Sequence, residues 1–554
     1  MKNIKKLVSL ILVVAMCFSL AACSTPKPAE PEEKETNEPK ENEATETGKK
    51  IFRYSLTADV PTLDPQLMNS IPSSTVGYHI FDGLMRNHVG EIQYGVAEKY
   101  DVSEDGLVYT FHLRDAKWSD GEPITAGDFE YGLQRLADPA TASDYAFIIT
   151  SLIKNADKVN NGELPVEELG VKAIDEKTLQ IELQNPTGYF ISMLSMPQFC
   201  PTRKDLVEKY GQEYSADADK MAYNGPFIVK EWKHEDRLIL EKNPNYWNKD
   251  AINLDEVHIL TVADPMTAVA MYEQGELDQV NVPAEVLENY TDKVSYYFDG
   301  ANDFMKLNMD GSSELKSKDL RLAVNYALNR EDFILLATKN LYQPNTRYIL
   351  PQVKGVDKDY GEEYPYEAFP VKGDEAKAKE HLQAAMTELG VSDPKEIELE
   401  LLTTDAERTR TEAEILQNQI QTVLGITVTI RQVPYKQRLQ MESDREFEMV
   451  VTGWVPDYSD PMTYLELWTT NSPYNHGSYK SEAYDGYVKE GITNTDPKQR
   501  MDALFNAEKT LLEDGAIIPL QLRRNAMLLN PKVKGFETYF VGLNYDYMYV
   551  DIEQ

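Results

Sequence analysis

Asp457 stands in Gly453-Trp454-Val455-Pro456-Asp457-Tyr458, a carboxylate placed where a strand pattern must give way to a loop. A carboxylate there has two uses. It can fold back on its own backbone as an Asx turn, or it can pair with a cation carried by a ligand. Other chemistry lacks well-formed candidates. The seven histidines, His79, His88, His112, His234, His258, His381 and His476, include no pair at i, i+3 or i, i+4 and no His-Glu-x-x-His, which excludes a zinc-protease helix. Asp101 to Gly106 begins like a calcium loop, but its twelfth position is His112 instead of a bidentate Glu, so the segment reads as a turn. No Gly-x-Ser-x-Gly elbow, phosphate loop, dinucleotide fingerprint or Cys-x-x-Cys pair occurs. Paired carboxylates chosen by eye among 92 acids carry no information. The expectation is a protein without catalytic residues, metal or cofactor, and not an enzyme.

The elements that must position Asp457 follow α/β grammar. Phe447, Met449 and Val451 alternate as a strand that Pro456 and Pro461 cannot continue, so the Gly453–Pro461 stretch is a loop at a strand end, where ligands gather in α/β sheets. Just before it, Leu416, Ile420, Val423 and Leu424 share one helical face, Gly425 suits the helix end, and Ile426, Val428 and Ile430 alternate as a strand. Leu107, Tyr109, Phe111 and Leu113 form another half-buried strand pattern. Tyrosine dominates the aromatics, 33 against 17 Phe and 5 Trp, a residue suited both to wet clefts and to ordinary packing.

With 554 residues there is core enough for about three domains. The formal charge of −36 opposes nucleic acid as a partner. The N-terminus carries Lys2, Lys5 and Lys6 ahead of an apolar run from Leu7 to Leu20, shorter than the roughly 20 residues that span a bilayer, so residues 1–22 read as a signal peptide. Leu20-Ala21-Ala22-Cys23 is similar to the lipobox of bacterial lipoproteins, which makes Cys23 the expected lipid-attachment site. Residues 23–50 are rich in Glu, Lys and Pro and read as a tether. Of the three cysteines only Cys200 then remains, so no disulfide is expected.

From about Phe52 onward the chain resembles the extracellular solute-binding proteins of peptide-importing ABC transporters, the oligopeptide- and dipeptide-binding group. The resemblance lies in Ala116-Lys117-Trp118-Ser119-Asp120-Gly121-Glu122-Pro123-Ile124-Thr125-Ala126-Gly127-Asp128-Phe129, continued by Tyr131, Arg135 and Asp138-Pro139. Leu63-Asp64-Pro65, Phe81-Asp82-Gly83-Leu84, Asn224-Gly225-Pro226-Phe227, Asn243-Pro244-Asn245-Tyr246-Trp247 and Ala327-Leu328-Asn329-Arg330 follow in the same order.

The resemblance implies an α/β, bilobal, periplasmic-binding-protein-like clamshell with two hinge strands and three subdomains. Lobe I would comprise 51–80, 206–302 and 525–554, an inserted subdomain 81–205, and lobe II 303–524, with hinge strands near Asn302–Met305 and Pro519–Arg523. It implies that Asp457 meets the α-ammonium of a peptide, that Ile71, Pro72, Ser73 and Ser74 on one side and Gly453, Trp454 and Val455 on the other offer strand-like backbone, and that Tyr145 and Tyr458 contribute to the site. It also implies a monomer, lipid-anchored to the outer face of the bacterial cytoplasmic membrane, delivering peptides to an ABC import permease. Where some oligopeptide binders fix a short ligand's carboxylate with an arginine, this chain has Val451. Alternatives are the same fold carrying a peptide pheromone, metal chelate, haem or oligosaccharide, a receptor that does not feed a transporter, and a surface-anchored hydrolase.

Overall fold

The computed structural model describes residues 48–312, 314–542 and 544–553, of which Lys49 onward forms one compact unit. The expected signal peptide, Cys23 and nearly all of the tether lie outside the described residues.

Three larger sheets organise this unit. In the first, the strand Ile51–Leu56 runs parallel to Glu256–Thr261, which pairs antiparallel with Arg237–Lys242 and through it with Phe227–Lys233. Alternation buries one face: Phe52 and Tyr54 meet Leu238, Leu240, Val257 and Ile259 in a core completed by Tyr547 and Val550 from the chain's end. The second sheet is antiparallel with strand order Ala97–Val102, Val108–Leu113, Thr178–Glu182, Val171–Asp175. The expected turn before the Val108 strand is shorter than its sequence suggests. Asp101 and Val102 stay in the ladder, and the reversal is confined to Ser103–Gly106, with Gly106 at φ +71°.

The third sheet carries the strand that precedes Asp457. Its order is Gln279–Asn281, Ile517–Leu529, Ser295–Leu307, Met449–Trp454, Glu398–Thr404, Thr427–Val433. Glu398–Thr404 is parallel to both its neighbours and the long central pair is antiparallel. The helix Glu407–Leu424 packs Leu416, Ile420 and Leu424 into the core, ends at Gly425 in the left-handed conformation, and hands the chain directly to Thr427–Val433. The two longest strands, Ser295–Leu307 and Ile517–Leu529, slip register between Phe298 and Asn302 and again between Asp303 and Phe304. Gly300, at φ +83°, lies in the first slip. A Cβ there would stand 1.8 Å from the Phe540 carbonyl oxygen, so only glycine lets the C-terminal segment cross so closely.

Candidate functional site

The strand Met449–Trp454 is paired along its whole length with Asn302–Leu307 on one side, but on the other only Met449 and Val450 meet a partner, Leu401 and Leu402. From Thr452 to Trp454 one edge of the ladder is therefore open until Pro456 ends it. Gly453 faces Asn302 and Asp303, and a Cβ at 453 would lie 2.5 Å from Asp303 Oδ1. The edge is bare backbone, the kind of surface to which an extended peptide adds as a further strand.

Asp457 follows three residues after Trp454. Its backbone N–H donates to Thr463 Oγ1 at 3.1 Å. Its half-buried carboxylate is approached by Tyr145 Oη at 3.5 Å, a bond between segments 312 residues apart. Burial pushes the carboxyl up to about 7, with the Tyr145 hydroxyl opposing the shift. Burial likewise raises the phenols of Tyr78, Tyr474 and Tyr464, and the nearby charge of Asp457 adds to each. Among the described residues no Lys, Arg or His stands within ion-pair distance of Asp457, and its side chain accepts no backbone N–H. The Asx-turn use is thus unsupported, and the carboxylate is a desolvated acid without a cation.

The other expected site residues divide. Trp454 stands at the open edge, its ring 5.9 Å from that of Tyr474, and Val455 continues the half-exposed backbone toward Asp457. Tyr145 reaches Asp457 as described. Tyr458 turns away: it is buried, stacked on Tyr189 at 4.8 Å, with Oη donating to Glu466 at 2.8 Å, and burial pushes that glutamate up to about 8. Ile71, Pro72, Ser73 and Ser74 are not extended. They form the first turn of the helix Ile71–Ile80, capped by Ser70 Oγ accepting from Ser73 N–H, with Pro72 in the first turn. Ser73 is wholly buried, Ile71 is exposed, and Ser74 N–H is already spent on the Ser70 carbonyl. The expectation of extended backbone at Ile71–Ser74 is thus corrected to a helical turn.

Two cavities flank the 452–460 stretch. The larger, about 530 Å³, lies among Tyr109, Tyr189, Lys354, Asp460 and Arg500, where Arg500 forks onto Asp460 with both contacts at 2.8 Å. The smaller, about 190 Å³, opens beside Thr452, Gly453 and Trp454 and is lined by Lys306, Arg438, Glu442, Trp468, Tyr474 and His476. The sequence reading assigned no role to these six. One signal was available: Tyr435, Arg438, Leu439 and Glu442 recur at i, i+3, i+4 and i+7, mixing exposed apolar with charged residues on one face of the helix Tyr435–Ser443. Cys200 is buried, and burial raises its thiol far from reactivity.

Residues 91–476 match the model of the bacterial extracellular solute-binding proteins, family 5. The chain belongs to this family. Family 5 solute-binding proteins similar to it over most of their length include the dipeptide-binding protein DppE of Bacillus subtilis, 30% identical with 100% of this chain and 99% of DppE covered. Another is the dipeptide-binding protein of Lactococcus lactis, 32% identical over 90% of this chain and 93% of the relative. In three dimensions the chain matches the substrate-binding domain of a Bacillus anthracis oligopeptide ABC transporter, with TM-score 0.81, 34% identity, and coverage of 92% of this chain and 99% of that one. Listeria monocytogenes OppA bound to peptide matches with the same TM-score, at 29% identity and covering 92% and 100%. The fold is accordingly the bilobal α/β fold of these family 5 proteins, which are binding proteins and not enzymes. No helix among the described residues is long and apolar enough to cross a membrane.

Proposed function

We propose that the protein captures extracellular peptides between its lobes and presents them to an ABC import permease, with Asp457 receiving the ligand's α-ammonium and the open edge at Thr452–Trp454 taking its backbone. The observation that carries this reading is the carboxylate of Asp457, desolvated, without a cation, and set at the end of an unpaired strand edge. A peptide α-amino group, with an ordinary pKa near 7.7–8.0, supplies the missing charge. Backbone pairing draws on groups that every peptide has, so such a site accepts many sequences. The peptide-binding relatives and neighbours support the cargo class. In this reading 51–80, 206–302 and 525–554 form lobe I, 81–205 the inserted subdomain and 303–524 lobe II, and lipid at Cys23 holds the monomer at the membrane's outer face.

The test is titration calorimetry with a peptide and its N-acetyl form. Leaving a buried carboxylate unpaired costs about 3–5 kcal/mol, so acetylation is expected to weaken binding more than a hundredfold. Equal affinities would remove Asp457 from this role.

A further inference from the structure

Residues 81–205 and 303–524 share no backbone pairing. Among the described residues no strand ladder and no backbone-to-backbone hydrogen bond runs between them. They meet through side chains: Tyr145 Oη on Asp457 at 3.5 Å, Tyr474 Oη on the Asp144 carbonyl at 3.2 Å, and the rings of Phe147 and Tyr474, 4.5 Å apart. To these is added the pair Tyr189 and Tyr458, with ring centroids 4.8 Å apart and planes only 4° from parallel. Contacts of this kind can open and close without breaking a sheet on either side.

Each ring of the Tyr189–Tyr458 pair is fixed from its own side. Tyr458 is 2% exposed, and its Oη donates to Glu466 Oε1 at 2.8 Å. Tyr189 directly precedes the short helix Phe190–Met193, whose Phe190 is wholly buried with its ring 4.8 Å from that of Tyr109. Rings placed beforehand lose little freedom on meeting, so little of the attraction between them is spent on ordering. The Arg500 guanidinium, oriented by its fork onto Asp460, lies 5.3 Å from the centre of the Tyr189 ring and adds a cation–ring attraction.

The packing beside this pair is open. The cavity of about 530 Å³ is lined by Tyr109, Tyr189 and Ile191 from one segment and by Val356, Asp460 and Met501 from the other. A permanent interior is filled to the density of an organic crystal. A void of this size, walled by both segments, means that their faces touch at Tyr189 without fusing around it. The contact bears on Asp457 through its neighbour in the chain. The Asp457 backbone N–H is tied to Thr463 Oγ1 at 3.1 Å, and the next residue, Tyr458, lies under the Tyr189 ring. We propose that Tyr189 is a positioning residue: by closing on Tyr458 it holds the loop of Asp457 against residues 81–205 and so sets how long a captured peptide is retained. The inference rests on the peptide reading above and concerns retention, not recognition.

Stopped-flow kinetics on the intact protein, with the free-amine peptide of the acetylation test, measures both rates. Tyr189→Ala is expected to release the peptide about tenfold faster, the worth of one aromatic pair and one cation–ring contact. Its association rate is expected to stay within about twofold, because a contact made after encounter acts on release. Tyr189→Phe keeps the ring and is expected to match the parent within about threefold on both rates. Amide hydrogen exchange of the unliganded protein adds a readout that needs no peptide. In Tyr189→Ala, faster exchange is expected at 142–147 and 454–463, with the strands Val108–Leu113 and Thr178–Glu182 as protected as in the parent. Should this variant not fold, Tyr189→Leu carries the same comparisons. Release within threefold of the parent, in a protein that still discriminates N-acetylated peptides, would overturn the role of Tyr189 and leave the peptide reading standing. Faster exchange spread through those two strands would overturn it as well, since that marks a ring that only supports its own subdomain. If no peptide binds at all, both fall.

Discussion

Tyr145 Oη and Asp457 Oδ1 meet at 3.5 Å, the single side-chain donor to that carboxylate among the described residues. Tyr145 and Asp457 are 312 residues apart in the chain, so the contact brings distant segments together around the acid. Tyr145→Phe removes the donor and leaves the ring. The bond is long, so its loss is expected to weaken free-amine peptides only about fivefold, roughly 1 kcal/mol, measured by calorimetry at pH 7.5. An unchanged affinity would place Tyr145 outside the site.

Binding should release protons. With its carboxyl near 7, Asp457 is mostly neutral in the free protein at pH 6, yet it must be ionised to pair with an ammonium. Calorimetry at pH 6 in buffers of different ionisation enthalpy is expected to show up to one proton released per peptide bound. Affinity should rise by up to about tenfold per pH unit from 5 to 7 and fall again above about 8 as the α-amino group loses its charge. An N-acetyl peptide should show no such rise.

Asp457→Asn should make the unliganded protein more stable. The folded carboxyl lies above its unfolded value near 3.9, so between about pH 4 and 7 the folded state holds the extra proton, and this group's contribution to stability declines as pH rises through that window. The variant lacks that decline. Its advantage over the parent in urea unfolding should grow from pH 4 to 7 and level above 7, at on the order of 2 kcal/mol once partial solvent exposure is allowed for. An advantage that is constant with pH would mean the carboxyl is not desolvated.

Glu508→Gln is expected to be costly with no effect on ligand choice. Glu508 is wholly buried, pairs with Arg347, and accepts Tyr360 Oη at 2.9 Å and the Ile349 N–H at 3.0 Å. Neutralising it leaves Arg347 uncompensated, a loss of about 3–5 kcal/mol readable as a lowered urea midpoint. A change below 1 kcal/mol would show the pair to be dispensable.

The residues that made the family legible turn out to be fasteners. Asp64 receives both Arg135 nitrogens at 2.8 and 3.0 Å, Asp82 takes the Trp247 indole N–H at 2.7 Å, and Arg330 Nε donates to the Pro519 carbonyl at 2.7 Å. Gly225 lies against Ile80 so closely that a Cβ would sit 2.5 Å from its carbonyl carbon. Such positions tolerate few residue types, which is why they can be read in a single sequence. Asp457 was visible for a related reason, since a Pro-flanked acid at a strand end has few uses. The start signals of the Ile71 helix, Ser70 and Pro72, stand in the sequence, and there local capping chemistry prevails over the extended backbone that the resemblance implies. The cavity beside Thr452–Trp454 was legible only in the helix face Tyr435–Glu442. Lys306 on a strand, Arg438 on a helix and His476 in a turn are far apart in the chain and converge only through the tertiary fold, which no local pattern encodes.

The strand Ile517–Leu529 places Ile518 and Leu520 in one core and Ala526 and Leu528 in another, and the segment after it brings Tyr547 and Val550 to Phe52 and Tyr54. The strand Ile51–Leu56 thus has its own core sealed by residues far along the chain. Without Tyr547 and Val550 the core around Phe52 and Tyr54 is incomplete, so its closure couples segments far apart in the sequence.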